Sequence, residues 1–212
     1  CVQARNPDFQ AIIPVRGKIL NCLKSEYDKI FKSEIITDLI KVLGCGVEVK
    51  NKNKEMVTFN LDMLRFNKVI ICTDADVDGF QIRTLILTML YRLTPTLIET
   101  GKVFIAETPL YEINCKKDTY FAYNDQEKAE ILAEIGDQRY TIQRSKGLGE
   151  NDPEMMSLTT MNPATRRLVR VEPAAAEATA EMFDILLGDN LNGRKEYIAE
   201  HGAEYLEMVD LS

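Results

Sequence analysis

The sequence predicts an α/β fold in which a parallel sheet is flanked by helices and followed by a mainly helical tail. Two apolar runs rich in β-branched residues, 68–73 (KVIICT) and 102–106 (KVFIA), have the length and composition of buried strands. Between them, from about Phe80 to Glu99, apolar residues recur at helical spacing. A strand, a helix and a second strand in this order favour a parallel sheet with helices on its faces.

Shorter elements are predicted along the rest of the chain from turn residues and local periodicity. We expect a short strand at 10–15, a helix capped by Ser33 and ended by Gly44, an exposed loop at 50–55, a hairpin of 111–115 and 119–123, a helix at 125–134 and a strand at 139–143.

The pattern becomes helical after residue 150. Asn162 and Pro163 are expected to open one helix, and Pro173 precedes a second, alanine-rich one. We therefore expect an α/β domain at residues 1–150 and a helical tail at 151–212.

Composition narrows the classes of protein. Among 212 residues, 45% are hydrophobic and 28% charged, which is typical of a globular protein. No apolar run reaches the roughly 18 residues of a membrane-spanning helix, so no membrane partner is expected. Five scattered cysteines without a Cys-x-x-Cys pair argue against zinc or disulfides and favour the cytoplasm. A single histidine, His201, argues against chemistry that needs a histidine base.

Charge is distributed unevenly along the chain. Residues 172–212 carry ten acidic residues and only Arg194 and Lys195 as bases, whereas residues 1–33 carry six bases and three acids. The basic segment 1–33 indicates a surface that could bind phosphates. The acidic segment 172–212 indicates either a basic partner or solvated helix faces.

The most specific feature is an acidic segment, residues 73–79 (TDADVDG), directly after a predicted buried strand. In an extended chain, residues two apart share a face, so Asp74, Asp76 and Asp78 are expected to crowd together. Their repulsion is relieved by a cation, and hard carboxylate oxygens suit Mg²⁺, Mn²⁺ or Ca²⁺. Ligands of open α/β sheets also bind at the carboxyl ends of strands.

Two alternatives compete with a metal site. The segment matches the opening of an EF-hand loop, but Leu85 stands at position 12, where a bidentate glutamate is required. The segment also fits an acidic turn without metal, in which Asp78 caps the next helix.

Two further segments combine glycine with basic residues after predicted strands. Arg16, Gly17 and Lys18 follow the first strand, and Lys146 precedes Gly147 in SKGLGE after the last one. Glycine lets a backbone approach a phosphate, and the basic side chain supplies charge. Each segment alone is more typical of a turn, but together with the aspartates they indicate phosphoryl transfer on nucleic acid.

At these residues the chain resembles the B subunits of bacterial type IIA DNA topoisomerases, of the DNA gyrase and topoisomerase IV kind. The resemblance runs over nearly all of the chain, and several long motifs in order make it specific. Its carriers are FQAIIPVRGKILN at 9–21, KVIICTDADVDG at 68–79, IRTLILTMLYR at 82–92, QRSKGLGENDPE at 143–154 and TTMNPATRRLVRV at 159–171.

The resemblance implies a TOPRIM domain with a Rossmann-like fold, followed by the helical tail of the B subunit. It implies that Asp74 and Asp76 are catalytic and bind Mg²⁺ with Asp78 as ligand or support, and that Mn²⁺ or Ca²⁺ can substitute in binding. Lys18 and Lys146, with Arg16, are expected to contact double-stranded DNA. The tyrosine nucleophile would belong to an A subunit, with which the B subunit forms an A2B2 heterotetramer on the cytoplasmic nucleoid.

The sequence departs from the family pattern at three points. The family's Glu-Gly-Asp-Ser motif would lie upstream of Cys1, so we expect an excised fragment with an incomplete metal site. The ATP-binding domain is likewise not expected, so the fragment should not hydrolyse ATP. Without the glutamate and an A subunit, the fragment alone is expected to be inactive. Phe80 and Gln81 replace a common Ser-His pair, so no role of that histidine carries over.

Two other functions remain open on sequence grounds. The chain could be a docking module for DNA and the A subunit without a catalytic metal, or another TOPRIM enzyme such as a primase or nuclease. The PVRGK and KGLGE segments argue against the latter, because they are topoisomerase B features outside the TOPRIM core. Sequence does not distinguish gyrase from topoisomerase IV.

Overall fold

A computed structural model of the chain describes residues 1–49, 58–116, 118–145, 147–149 and 151–208, the last three by their backbone alone. Short 3₁₀ helices occupy Leu61–Met63 and Gly202–Met208. The α-helices are α1 Tyr27–Ile30, α2 Glu34–Leu43, α3 Val77–Leu93, α4 Pro95–Glu99, α5 Asp125–Ile135, α6 Pro153–Leu158, α7 Ala176–Leu187 and α8 Leu191–His201. The strands are β1 Val69–Ile71, β2 Val103–Glu107, β3 Tyr111–Cys115, β4 Asp118–Ala122, β5 Tyr140–Arg144 and β6 Arg167–Arg170.

The strands form two sheets, and the predicted α/β class with a helical tail is confirmed. The first sheet has the order β1-β2-β6, and helices α3 and α4 connect its neighbours β1 and β2. The second has the order β4-β3-β5 and is antiparallel, with Ile113 opposite both Tyr120 and Ile142. The predicted hairpin is therefore present, and the predicted helix at 125–134 and strand at 139–143 are confirmed as α5 and β5.

The chain divides into two compact units. The first comprises Cys1–Ile12, Cys72–Phe80 and Ile105–Val169, and the second comprises Ile13–Ile71, Gln81–Phe104 and Arg170–Ser212. Helix α3 and strands β2 and β6 contribute residues to both units. The division into domains 1–150 and 151–212 stays a prediction of the sequence.

The second unit contains the larger apolar core. Helix α2 begins after Ser33 and ends at Gly44, whose φ of 79° lies in the left-handed region that glycine adopts without strain. Both helix boundaries agree with the sequence prediction, although the Ser33 side chain makes no capping hydrogen bond. The helix buries Ile36 and Leu43 against α3 and the strands. Fully buried side chains of this core include Ile30, Met89, Leu90, Leu93, Leu97 and Val103.

Arg92 fastens the segment around Cys22 to α3 within this unit. Its Nη1 donates to the carbonyl oxygen of Cys22, to that of Leu23 at 2.8 Å and to that of Ser25 at 2.9 Å. The guanidinium also lies 4.6 Å from the ring centroid of Tyr27. Burial raises the pKa of the Cys22 thiol to about 11, although the charge of Arg92 acts in the opposite direction.

Helix α7 of the tail belongs to the same unit and packs within it. The rings of Tyr91 and Phe183 stack at 4.3 Å between centroids, and Asn21 Nδ2 donates to the carbonyl oxygen of Leu187 at 3.0 Å. From α8, Arg194 donates to the carbonyl oxygens of Ile185 and Gly188, at the end of helix α7. Because unpaired carbonyls at a helix end need a donor, this arginine stabilises the corner between α7 and α8.

The first unit is organised around the antiparallel sheet and α5. Ile113, Cys115 and Ile135 are buried between sheet and helix. Asn124 caps α5 by accepting the N–H of Glu127 at 2.8 Å. The Arg167 guanidinium donates to Glu127 Oε1 at 2.6 Å and holds the pKa of that carboxyl below its usual range.

Three sequence predictions of secondary structure are wrong in whole or in part. Residues 10–15 are not a strand, because Pro14 has no N–H for a ladder and the Gln10 side chain instead donates to the carbonyl oxygen of Met161 at 2.6 Å. The helix predicted from Phe80 to Glu99 ends at Leu93, since Pro95 excludes Thr94 from helical geometry and starts α4.

The third error concerns Asn162 and Pro163, which open a turn rather than a helix. Asn162 Oδ1 accepts the N–H of Ala164 at 3.0 Å, a side-chain bond that competes with helix formation. The chain then enters strand β6, which has the sequence RLVR. The sequence analysis did not predict this short strand of two arginines and two apolar residues. The predicted loop at 50–55 lies outside the described residues.

Within the described ranges, no helix combines the length and apolar character needed to cross a bilayer.

The Arg92 contacts predict a large loss of stability for Arg92→Met. Three backbone carbonyls lose a charged donor, so the free energy of unfolding should fall by about 3 kcal/mol. Urea unfolding followed by circular dichroism measures this value. Lys41→Met is the matched control, because its side chain is 75% exposed and the expected change is below about 0.5 kcal/mol. Equal effects of the two substitutions would contradict a structural role for Arg92.

Candidate functional site

The acidic segment (residues 73–79) lies between the end of β1 and the first turn of α3. Asp74 and Asp76 are half-buried in the loop, and Asp78 is exposed as the second residue of the helix. The structure thus places the carboxylates where the sequence predicted, at the carboxyl end of a strand.

Asp76 is the residue that caps α3. Its Oδ1 accepts the N–H of Gly79 at 2.6 Å, and its carbonyl oxygen accepts the N–H of Phe80 at 2.9 Å. The prediction that Asp78 would cap this helix is therefore wrong, because the helix begins one residue before it. Asp78 instead adds negative charge to the first turn, where the helix dipole stabilises an anion.

Gly79 allows the acidic segment to fold back on the helix. A Cβ at this position would lie 2.8 Å from the carbonyl carbon of Asp74 and closer still to its oxygen. The neighbouring atoms are backbone and cannot swing away, so a side chain would displace the loop that carries Asp74. The glycine of the DADVDG motif is therefore explained by close packing.

The glycine-rich segment (residues 145–149) meets the acidic segment at Asp74. The backbone N–H of Leu148 donates to Asp74 Oδ1 at 2.7 Å. A Cβ at Gly147 would lie 3.6 Å from the same carboxylate, so its backbone lies against the acid. Both contacts lie within the first unit. The structure thus brings together two motifs that are about seventy residues apart in sequence, as their shared placement after strands predicted.

Leu148 contributes to the site through its backbone, a role that the sequence motifs did not reveal. Its side chain packs against a small apolar cluster that contains the buried Met155 and Met156 of α6. This anchor fixes where the Leu148 N–H points. The sequence signal for this role was an apolar residue between two glycines. Glycine restrains the backbone little, so an apolar side chain between two glycines can fix the segment by packing into a core.

The predicted basic residues are placed less completely. Arg16 and Lys18 are exposed, and Gly17 between them has a φ of 73°, which makes the tight turn that the sequence suggested. They belong to the second unit. Lys146 lies outside the described residues. DNA contact by Arg16, Lys18 and Lys146 stays a prediction.

The geometry also bears on the metal and on the EF-hand alternative. A strand precedes the segment and Leu85 is a buried core residue of α3, so the EF-hand alternative is wrong. Where the structure describes the chain, no three acidic, histidine or cysteine side chains form a group that could hold a metal ion. The metal role of Asp74, Asp76 and Asp78 stays a prediction.

Gly79→Ala tests the close packing of the acidic segment. Alanine in a helix normally stabilises by about 1 kcal/mol relative to glycine. Here we expect a loss of about 2 kcal/mol in the free energy of unfolding, because the new methyl overlaps the Asp74 backbone. Urea unfolding measures the change. Gly149→Ala, with open space around its Cβ position, should leave stability within about 0.5 kcal/mol.

A stabilised Gly79→Ala variant would contradict the overlap at this position.

Comparison with known protein families gives two matches. The Toprim domain matches residues 1–108. The carboxyl terminus of the DNA gyrase B subunit matches residues 137–199. The two matches lie on either side of the antiparallel hairpin and α5.

Curated relatives match nearly the whole chain. The DNA gyrase B subunit of Thermotoga maritima is 44% identical over 206 residues, which cover 97% of the chain and 31% of the relative. That of Clostridium acetobutylicum is 44% identical over 208 residues, with coverages of 97% and 31%. That of Thermus thermophilus is 43% identical over 206 residues, with coverages of 97% and 32%.

The chain spans about a third of the length of these relatives, as the coverages of 31% and 32% show. Its Toprim match covers the acidic segment, and its gyrase B match covers the glycine-rich segment that binds Asp74. The chain therefore belongs to the Toprim family, and over nearly its whole length it is similar to part of the DNA gyrase B subunit.

Proposed function

We propose that the chain is the Mg²⁺-binding part of the DNA cleavage and religation centre of an ATP-dependent type II DNA topoisomerase. The observation that carries the proposal is the hydrogen bond from Leu148 N–H to Asp74, which joins the two motifs that phosphoryl transfer on DNA would use. The tyrosine nucleophile comes from an A subunit, and ATP is hydrolysed elsewhere in the B subunit.

Asp74 and Asp76 are chemically suited to hold Mg²⁺. This ion often binds proteins through one or two carboxylates and keeps several waters, so two aspartates suffice as protein ligands. One oxygen of each carboxylate accepts a backbone N–H, which fixes the orientation of the group and leaves its other oxygen outside that bond. When bound, the ion supplies positive charge to the scissile phosphate and the leaving 3′ oxygen. Mn²⁺ or Ca²⁺ can replace it in binding.

Asp78 supports this pair from the helix. Its exposed carboxylate in the first turn of α3 adds negative potential beside the loop, which attracts a divalent cation. Asp74 and Asp76 are the residues that act on the reacting centre.

Double-stranded DNA is the proposed substrate. Arg16 and Lys18 flank a glycine turn in exposed positions, where they can neutralise phosphates. In the sequence, Lys146 directly precedes Gly147, whose backbone lies beside the Asp74 carboxylate. The protein partner is the A subunit, in an A2B2 heterotetramer that acts on the cytoplasmic nucleoid. The acidic tail supplies charge for a basic surface on that partner.

A second candidate is a docking module that joins DNA and the A subunit without a catalytic metal. It is favoured by the lack of a three-carboxylate group in the described part of the chain. A primase or nuclease is disfavoured, because the match to the gyrase B carboxyl terminus includes the glycine-rich segment.

Asparagine substitution separates charge from structure at the two aspartates. Asp74→Asn and Asp76→Asn each keep an oxygen that accepts the existing backbone N–H but remove the negative charge. We expect each to lower Mg²⁺-dependent DNA cleavage by at least about 100-fold in the complete B subunit with its A subunit. A gel assay of linearised plasmid measures cleavage.

The control is stability. Asparagine and aspartate are about equally good helix caps, so the free energy of unfolding of Asp76→Asn should lie within about 0.5 kcal/mol of the parental value. Asp76→Ala should lower the free energy of unfolding by about 1 kcal/mol. Full cleavage by both asparagine variants would exclude the metal role and favour the docking module.

Lys146→Ala tests the DNA contact. One lost phosphate contact should reduce the slope of log affinity against log salt by about 0.9. Fluorescence anisotropy with a labelled duplex at several salt concentrations measures the slope. Lys195→Ala, an exposed lysine of the acidic tail, is the matched control and should leave the slope unchanged. An unchanged slope for Lys146→Ala would mean that this lysine makes no phosphate contact.

A further inference from the structure

The peptide unit between Gly147 and Leu148 is held at both of its polar ends. Ser145 Oγ donates to the carbonyl oxygen of Gly147 at 3.2 Å. The N–H of Leu148, on the other side of the same planar unit, donates to Asp74 Oδ1 at 2.7 Å. In a trans peptide the carbonyl and the N–H point in opposite directions. The Ser145 hydroxyl and the Asp74 carboxylate therefore bind opposite edges of the same rigid peptide unit.

Ser145 is itself fixed in place. It is 7% exposed and directly follows β5, and its backbone N–H donates to the carbonyl oxygen of Leu110 at 2.9 Å. On the far side of the plane, the Leu148 side chain is packed against the buried Met155 and Met156. The position of the hydroxyl is thus set by the sheet, and the position of the N–H is set by α6.

The two hydrogen bonds reinforce each other. Donation to a peptide carbonyl polarises the peptide and makes its N–H a better donor. Without the hydroxyl, the carbonyl of Gly147 would seek another donor, and glycine offers little resistance to rotation of the plane. The Leu148 N–H would then turn away from Asp74, and the carboxylate would gain rotational freedom.

We propose that Ser145 is a positioning residue, which fixes the Asp74 carboxylate for Mg²⁺ through the Gly147–Leu148 peptide. The inference rests on the proposed function, because it takes Asp74 as a ligand of the ion. Ser145 touches neither the ion nor DNA in this role, and its effect on metal binding passes through one peptide bond.

The test compares Ser145→Ala with Ser145→Thr, which retains a hydroxyl on the same carbon. Binding of Mn²⁺ to the complete B subunit, with its A subunit and a DNA duplex, is followed by the electron paramagnetic resonance signal of free Mn²⁺. Removal of a residue that orients a metal ligand typically weakens metal affinity by about 10- to 100-fold. We expect a loss of about 10-fold for Ser145→Ala and of less than about 3-fold for Ser145→Thr.

Thr88→Val is the matched control for a lost buried hydroxyl. Thr88 is 0% exposed in helix α3 within the second unit, and its Oγ1 donates to the carbonyl oxygen of Thr84 at 2.7 Å. This variant should bind Mn²⁺ like the parent. Parental Mn²⁺ affinity in Ser145→Ala, or an equal loss in all three variants, would overturn the proposal.

A second measurement needs no metal and reports directly on the Gly147–Leu148 peptide. Amide hydrogen exchange of Leu148, measured by nuclear magnetic resonance on the labelled chain, should be at least about 10-fold faster in Ser145→Ala and near the parental rate in Ser145→Thr. Unchanged exchange in Ser145→Ala would overturn the coupling between hydroxyl and N–H.

Asp74→Asn distinguishes failure of this inference from failure of the proposed function. If Asp74→Asn loses Mn²⁺ binding while Ser145→Ala retains it, only the role of Ser145 is excluded. If Asp74→Asn retains the parental Mn²⁺ affinity, Asp74 is not a ligand and the proposed function fails together with the inference.

Discussion

The hydrogen bond between Leu148 N–H and Asp74 Oδ1 is the contact on which the candidate site depends. It closes a loop of more than seventy residues, which contains helix α3, the second sheet and α5. A charge-assisted hydrogen bond of this kind is about twice as strong as a neutral one, so it can hold the two glycine-containing segments together. The acidic and glycine-rich motifs thus form one local structure.

Steric space distinguishes the two glycines beside Asp74. A Cβ at Gly79 would overlap the Asp74 backbone, whereas a Cβ at Gly147 would lie in ordinary contact with the Asp74 carboxylate. Substitution at Gly79 therefore disturbs the course of the chain, while the space beside the carboxylate at Gly147 admits a Cβ.

Much of the fold was predictable because its signals are local. Helix α2 has a serine before it and a glycine after it, and the β3–β4 hairpin has alternating apolar residues. The errors arose where a tertiary contact decided the outcome. Gln10 is held by Met161, and β6 is formed by pairing in a sheet whose other strands lie far away in sequence. A periodicity argument does not contain those partners.

The candidate site was predictable to the same extent. Residue type and spacing indicated Asp74, Asp76, Asp78 and the glycines, because carboxylates that crowd on one face repel one another unless positive charge or hydrogen-bond donors lie nearby. Spacing could not tell that Asp76, rather than Asp78, caps the helix, since that depends on where the backbone leaves extended geometry. Nor could it identify Ser145 and Leu148, which act through backbone groups that every residue carries.

Three aspartates in five residues repel one another, and the structure relieves this repulsion with backbone dipoles. Asp76 accepts a hydrogen bond from the first turn of α3, Asp78 lies within that turn, and Asp74 is bound by a peptide N–H from the glycine-rich segment. Each source places partial positive charge near a carboxylate without neutralising it. Such a loop can keep its shape before any cation arrives and still offer net negative charge to one. In the proposed metal site, this arrangement would keep Asp74 and Asp76 oriented by the protein when the ion leaves and rebinds.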